Sequence, residues 1–101
     1  MKVLFICNQN KNRSKTAEFI FKNKYETRSA GLYNEKPVSE VQLKWADIIV
    51  VMEEEQRHEI AKRFPKQYLM KRIVSLDVPD MFAFNQPELV DMLNRKIKDC
   101  L

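Results

Sequence analysis

Val3, Leu4, Phe5 and Ile6 form an unbroken, β-prone apolar run near the start of the chain. Successive strand residues face opposite sides of a sheet, so a run with no polar position suits a strand covered on both faces. Such strands belong to parallel sheets with helices packed on either side. The residues that follow fit this reading. Cys7 closes the run, Asn8 to Asn12 is a polar break without periodicity, and Ser14 to Lys24 places Ala17, Phe19, Ile20 and Phe21 on a broad apolar face with lysines elsewhere. The order is strand, five-residue loop, helix.

The pattern repeats along the chain. Tyr25 to Ser29 is a short second strand, turned out of the sheet at Ala30-Gly31, the only glycine. Val38 to Lys44 reads as a helix with Val41 and the Leu43–Trp45 end packing inward, and Trp45 as a core aromatic. Asp47 to Met52 is the clearest central strand. Glu53 to Phe64 is a helix with acids early and Lys62 and Arg63 late, as the helix dipole prefers, and Pro65 stops it. Its acidic start and His58, the only histidine, read as solvated surface. Arg72 to Leu76 supplies a fourth strand, and Glu88 to Leu101 a last helix with Leu89, Val90, Leu93 and Ile97 on one side. Four strands alternating with helices predict an α/β fold of three layers, a four-stranded parallel sheet with right-handed crossovers. Ligands in such folds bind beyond the carboxyl ends of the strands, where the strand order reverses. Cys7, Gly31, Met52 and Asp77 to Asp80 fall at those ends.

At 101 residues the chain is expected to form one domain, residues 1–101. Hydrophobic residues at 45% and charged ones at 32% fit a soluble globular protein. No apolar run approaches the roughly 20 residues of a membrane helix, and Val3 to Cys7 is too short for a signal-peptide core. Two cysteines, Cys7 and Cys100, make neither a disulfide framework nor a paired-cysteine metal site, so a reducing, cytoplasmic setting is expected. The net charge of +4 is uneven: Lys2 to Arg28 holds 7 basic and 2 acidic residues, Ser29 to Ala61 holds 3 and 7. The excess around the first loop draws anions. The absence of any basic motif interleaved with aromatics favours phosphorylated substrates over nucleic acid.

Amides at a helix start have no internal partner, and with a curled loop they form a concave anion site. Cys7 stands at its rim, where those amides and a nearby guanidinium favour a nucleophilic thiolate. Arg13 is placed to grip two oxygens of a phosphate through its planar fork. Ser14 is placed to donate a hydroxyl hydrogen bond to the sulfur.

Cys7, five intervening residues, Arg13 and Ser14 resemble the C-x5-R-S signature of tyrosine phosphatases, near the N-terminus as in the low-molecular-weight class. Asn10 matches the asparagine usual at the third loop position, a residue type that tolerates left-handed backbone. Thr16-Ala17-Glu18, Ser29-Ala30-Gly31, Trp45-Ala46-Asp47 and Met52-Glu53 resemble further family segments in order. The resemblance implies a phosphatase I-like, flavodoxin-like topology and an aryl phosphate substrate, phosphotyrosine in a protein or a small ester. It implies no cofactor and no metal. Loop residues Asn8, Gln9, Asn10, Lys11 and Asn12 with Ser14 would hold the phosphoryl oxygens or inorganic phosphate, and Phe82 would wall the pocket; Tyr33, close after Gly31, reads equally as part of that wall or as a half-exposed loop aromatic. Val78-Pro79-Asp80, followed by Met81-Phe82, resembles the family's acid loop and makes Asp80 the matching proton donor, with Asp77 as second choice. Gln9 in place of glycine, Met81 in place of proline and a shorter chain depart from the pattern. Two other functions are compatible with the loop. One is arsenate reduction, with Cys100 as the only further thiol, and the other is phosphate recognition without turnover.

Overall fold

The computed structural model describes residues 1–101. Its elements are β1 (Lys2–Cys7), α1 (Arg13–Phe21), β2 (Glu26–Gly31), α2 (Glu40–Trp45), β3 (Ile48–Val51), α3 (Glu54–Arg63), α4 (Pro65–Met70), β4 (Arg72–Ser75) and α5 (Pro87–Cys100). The four strands are all parallel, in the order β2-β1-β3-β4. The chain moves from β1 to one side and then returns to the other, so the order reverses between β1 and β3. This is the three-layer, doubly wound arrangement expected from the sequence, and its switch point falls at Cys7.

The apolar run explains the core. Val3, Phe5 and Cys7 face α1 and α5, joining Ala17, Phe21, Leu89, Leu93 and Ile97. Leu4 and Ile6 face the other side with Leu43, Ile49, Val51 and Ile60. Phe5 stacks on Phe21 with ring centroids 5.8 Å apart. Trp45 is half-buried against the second cluster, under the Arg28 guanidinium. No helix is long and apolar enough to cross a membrane.

Several local expectations are corrected. The first helix ends at Phe21, and Phe19 points outward at 47% exposure, because Ala17, Ile20 and Phe21 suffice to cover this edge of the sheet. Val41 is 76% exposed, and Leu43 is the one fully buried residue of α2, with Trp45 half-buried beside it; the helix starts from a Ser39–Gln42 capping box. Asp47 precedes β3; its carboxylate accepts from the Lys2 amide at 2.8 Å and its amide donates to the Lys2 carbonyl at 2.8 Å, pinning the starts of β1 and β3 together. Pro65 ends α3 as expected but also opens α4, since a proline at the first helical position lacks only an N–H that would have no partner there.

Gly31 is the correction that bears on the site. It does not turn the chain out of the sheet: it is the last residue of β2, paired with Cys7. Its role is close approach. A Cβ there would lie 2.6 Å from Asn34 Oδ1 and 3.0 Å from the Asn8 carbonyl oxygen. That carbonyl accepts from the Leu32 and Tyr33 amides at 3.0 and 2.8 Å, so only glycine lets the β2 end and the first loop lie this close.

Candidate active site

The loop from Cys7 to Arg13 hangs between the carboxyl end of β1 and the start of α1. Asn10 takes φ 55°, the left-handed geometry for which asparagine is suited, and this curls the loop. α1 has no side-chain cap at Asn12 and no acid in its first turn, so its leading amides stay open toward the loop. The cleft beside them has a volume of about 120 Å³ and is lined by Cys7, Gln9, Lys11, Asn12, Arg13 and Asp80. That is room for one tetrahedral oxyanion and little more.

Cys7 Sγ lies 3.0 Å from Ser14 Oγ, and Ser14 Oγ in turn donates to Asn10 Oδ1 at 2.8 Å. A hydroxyl has one proton. While it goes to Asn10, Ser14 accepts from the thiol; once the thiol ionises, the hydroxyl proton turns to the sulfur and Asn10 must present its amide nitrogen instead. The Asn10–Ser14–Cys7 chain is therefore arranged to serve the sulfur in both charge states.

Arg13 is 2% exposed, and its burial is compensated. Nη1 donates to Glu53 Oε1 at 2.5 Å and to the Val78 carbonyl at 2.8 Å, while Nε faces Asp80 Oδ1 at 3.8 Å. Nη1 is thus committed to the protein, leaving Nε and Nη2 for a ligand. Glu53 and Gln56 are the participants missing from the sequence reading. Glu53 begins α3 as its cap, with Gln56 Oε1 accepting from the Met52 and Glu53 amides at 2.7 and 2.9 Å. Buried Gln56 also donates from Nε2 to Asn8 Oδ1 at 3.0 Å. One helix start therefore holds both ends of the loop. The local signal was Met52-Glu53-x-x-Gln56, a capping pattern directly after a central strand. Of the acids at that helix start, only Glu54 and Glu55 are exposed, as expected of a solvated face.

Replacing Glu53 with Gln is expected to lower stability by about 1–2 kcal/mol, less than a fully buried pair costs because Glu53 keeps a third of its side chain in water. The guanidinium should remain attractive to anions but lose its fixed angle. Calorimetric affinity for phosphate is expected to hold while kcat falls; an equal loss in both would mean that Glu53 only supports the fold.

Of the remaining candidates, Asn8 turns its side chain to Gln56, away from the cleft. Tyr33 does not line the cleft: its ring is 54% exposed and sits under the Arg63 guanidinium at 5.0 Å, drawn there because Arg63 also donates to the Leu32 carbonyl. Phe82 is likewise turned away, half-buried against the α1–α5 core. Asp77 has φ 57° and is exposed, its carbonyl accepting from Lys96 Nζ, and it does not reach the cleft. Cys100 lies at the opposite edge of the sheet, where its carbonyl accepts from Arg72 at the start of β4. The length of β1, on the order of 15 Å, separates that edge from Cys7.

No family model matches the chain, and no curated protein does. Solved structures do. A low-molecular-weight protein tyrosine phosphatase from Streptococcus pyogenes superposes with a TM-score of 0.80 at 19% identity, covering 99% of this chain and 90% of its own. The YwlE arginine phosphatase of Geobacillus stearothermophilus gives 0.78 at 18%, covering 98% and 92%. The tyrosine phosphatase Wzb of Escherichia coli K30, solved with phosphate, gives 0.78 at 16%, covering 98% and 94%. This chain is an α/β protein with the fold of the low-molecular-weight protein tyrosine phosphatases.

Proposed function

We propose that the protein is a phosphomonoesterase acting through a cysteinyl-phosphate, with phosphotyrosine or a similar aryl phosphate as substrate. The observation that carries this is the convergence of Cys7, Arg13 and Asp80 on one oxyanion-sized cleft. Cys7 Sγ attacks phosphorus in line, the loop amides and the free edge of Arg13 hold the equatorial oxygens, and the P–O bond to the leaving group breaks. Asp80 gives its proton to the departing oxygen, and then takes one from the water that releases phosphate and regenerates the thiolate. Asp80 is 62% exposed at the cleft mouth, so the leaving group meets it on the way out. The setting proposed is cytoplasmic, and the solved relative with phosphate supports an oxyanion as ligand.

The decisive experiment is acid quench during turnover of an aryl phosphate, followed by mass spectrometry of the Cys7 peptide. A phosphoryl adduct on Cys7 is expected; turnover with phosphate carried on another residue, or binding with no turnover of any ester, rejects the reading. Arsenate reduction through Cys100 would need that thiol at the cleft, and it stands at the far edge of the sheet.

The active complex needs Cys7 as thiolate and Asp80 as acid, so the two groups are tested separately by their leaving-group signatures. Asp80→Asn is expected to cost about 10²- to 10³-fold in kcat for phenyl phosphates and far less for nitrophenyl ones, whose leaving group needs no proton. The same leaving-group signature in Asp77→Asn would move the acid to Asp77.

A further inference from the structure

The cleft rim carries one charge that nothing neutralises. Arg13 is balanced by Glu53, and Lys15 faces Glu18 at 3.9 Å. Lys11 is exposed, lines the cleft, and takes part in no ion pair and no side-chain hydrogen bond. Once a phosphoryl group occupies the amides and the free edge of Arg13, and Asp80 carries the proton it is to deliver, Lys11 is the remaining full charge along the exit path of the leaving group. The cleft also lacks an aromatic wall. Its only apolar lining residue is Cys7, while Tyr33, Phe82 and Phe84 are engaged with Arg63, the core and Phe19. A ring leaving this cleft finds no surface to stack on, so recognition beyond the phosphoryl group must come from charge.

Resting on the phosphatase reading, we propose that Lys11 makes this a phosphatase for esters whose leaving group carries a second anionic group, a carboxylate or phosphate just beyond the ester oxygen. Cationic leaving groups, an N-linked guanidinium included, are repelled by the same ammonium. The shared chemistry has two sources, a small dianionic ester or a phosphotyrosine flanked by acidic side chains. At a partly solvated rim, one charge at a separation on the order of 6 Å changes affinity by about tenfold. The preference must shrink in salt, because Lys11 is exposed to the ion atmosphere.

The test uses three phenyl phosphates bearing para carboxymethyl, ethyl and aminomethyl groups, in which a methylene insulates the ester oxygen from the substituent. For the wild type, kcat/KM is expected to fall in that order by about tenfold at each step, about a hundredfold from first to last, to flatten in Lys11→Gln and to reverse in Lys11→Glu. Equal values for all three in the wild type overturn the proposal, as does an order that survives in Lys11→Glu. The matching phosphonates, titrated calorimetrically into Cys7→Ser, read the same preference without turnover. A charge order in affinity with no ester hydrolysed upholds Lys11 as selector and rejects the phosphatase reading alone. Phosphotyrosine peptides flanked by Glu, Ala or Lys then separate the sources: a Glu preference assigns the anion to a peptide, and a preference confined to the phenyl esters assigns it to a small molecule.

Discussion

Turnover of aryl phosphates is expected to fall by roughly 10⁴-fold or more in Cys7→Ser, with phosphate still bound. The argument lies in what surrounds the sulfur. In sites where an alcohol is the nucleophile, a neighbouring base takes its proton. Cys7 has no such neighbour: its one polar side-chain contact is the Ser14 hydroxyl, and the single histidine, His58, is exposed on α3. The carboxylate at the cleft, Asp80, is the proposed acid and faces Arg13. The nucleophile must therefore lose its proton unaided. A thiol can do so far more readily than an alcohol, which remains protonated at any working pH. Oxyanion binding uses the amides and Arg13, which the substitution leaves in place. The checks are kcat with an aryl phosphate and the phosphate Kd by calorimetry. Retained turnover would remove Cys7 as nucleophile, and loss of both would indicate a collapsed loop.

Most of the fold was legible because it is written in short, strongly patterned stretches. The Val3–Ile6 run could be satisfied only between two helical layers, and the Asp47–Met52 run likewise, so the central strands and the layer order followed. The loop was legible for a related reason: the spacing from Cys7 to Arg13 and the left-handed tolerance of Asn10 are local properties, and Asn10 does take φ 55°. What stayed hidden depends on contacts distant in sequence. Glu53 meets Arg13 across 40 residues and Gln56 meets Asn8 across 48, distances spanned only once β1 and β3 lie side by side. As a cap, Glu53 has a local role at a helix start, and nothing local says that the same carboxylate also points at a guanidinium. The aromatics were misplaced for the converse reason. Tyr33 and Phe82 stand at family-like positions, but an aromatic packs wherever a cation or an apolar surface is offered, and here Arg63 and the α1–α5 core offer it.

Arg13→Lys is expected to lower kcat by roughly 10³-fold while weakening phosphate binding less than tenfold. In the proposed mechanism the wild-type guanidinium has two tasks with separate donors: Nη1 anchors it to Glu53 and to the Val78 carbonyl, and Nε and Nη2 are left for the anion. The anchor matters as much as the pair, because a fork held at a fixed angle costs nothing to orient when the reaction occurs. A lysine ammonium keeps the charge but has a single nitrogen. Held by Glu53, it presents no pair to the anion; turned to the anion, it leaves Glu53 and the buried Val78 carbonyl without a donor. In a tetrahedral ground state the loop amides make good most of the loss, and the retained charge still attracts the anion. In the trigonal-bipyramidal transition state, three equatorial oxygens spread into a plane, and two of them fit parallel donors that an ammonium cannot supply. The penalty therefore falls on kcat rather than on affinity. Equal losses in kcat and phosphate affinity would mean that Arg13 serves only to attract the anion, and full turnover in the lysine variant would show that the fork is not used at all.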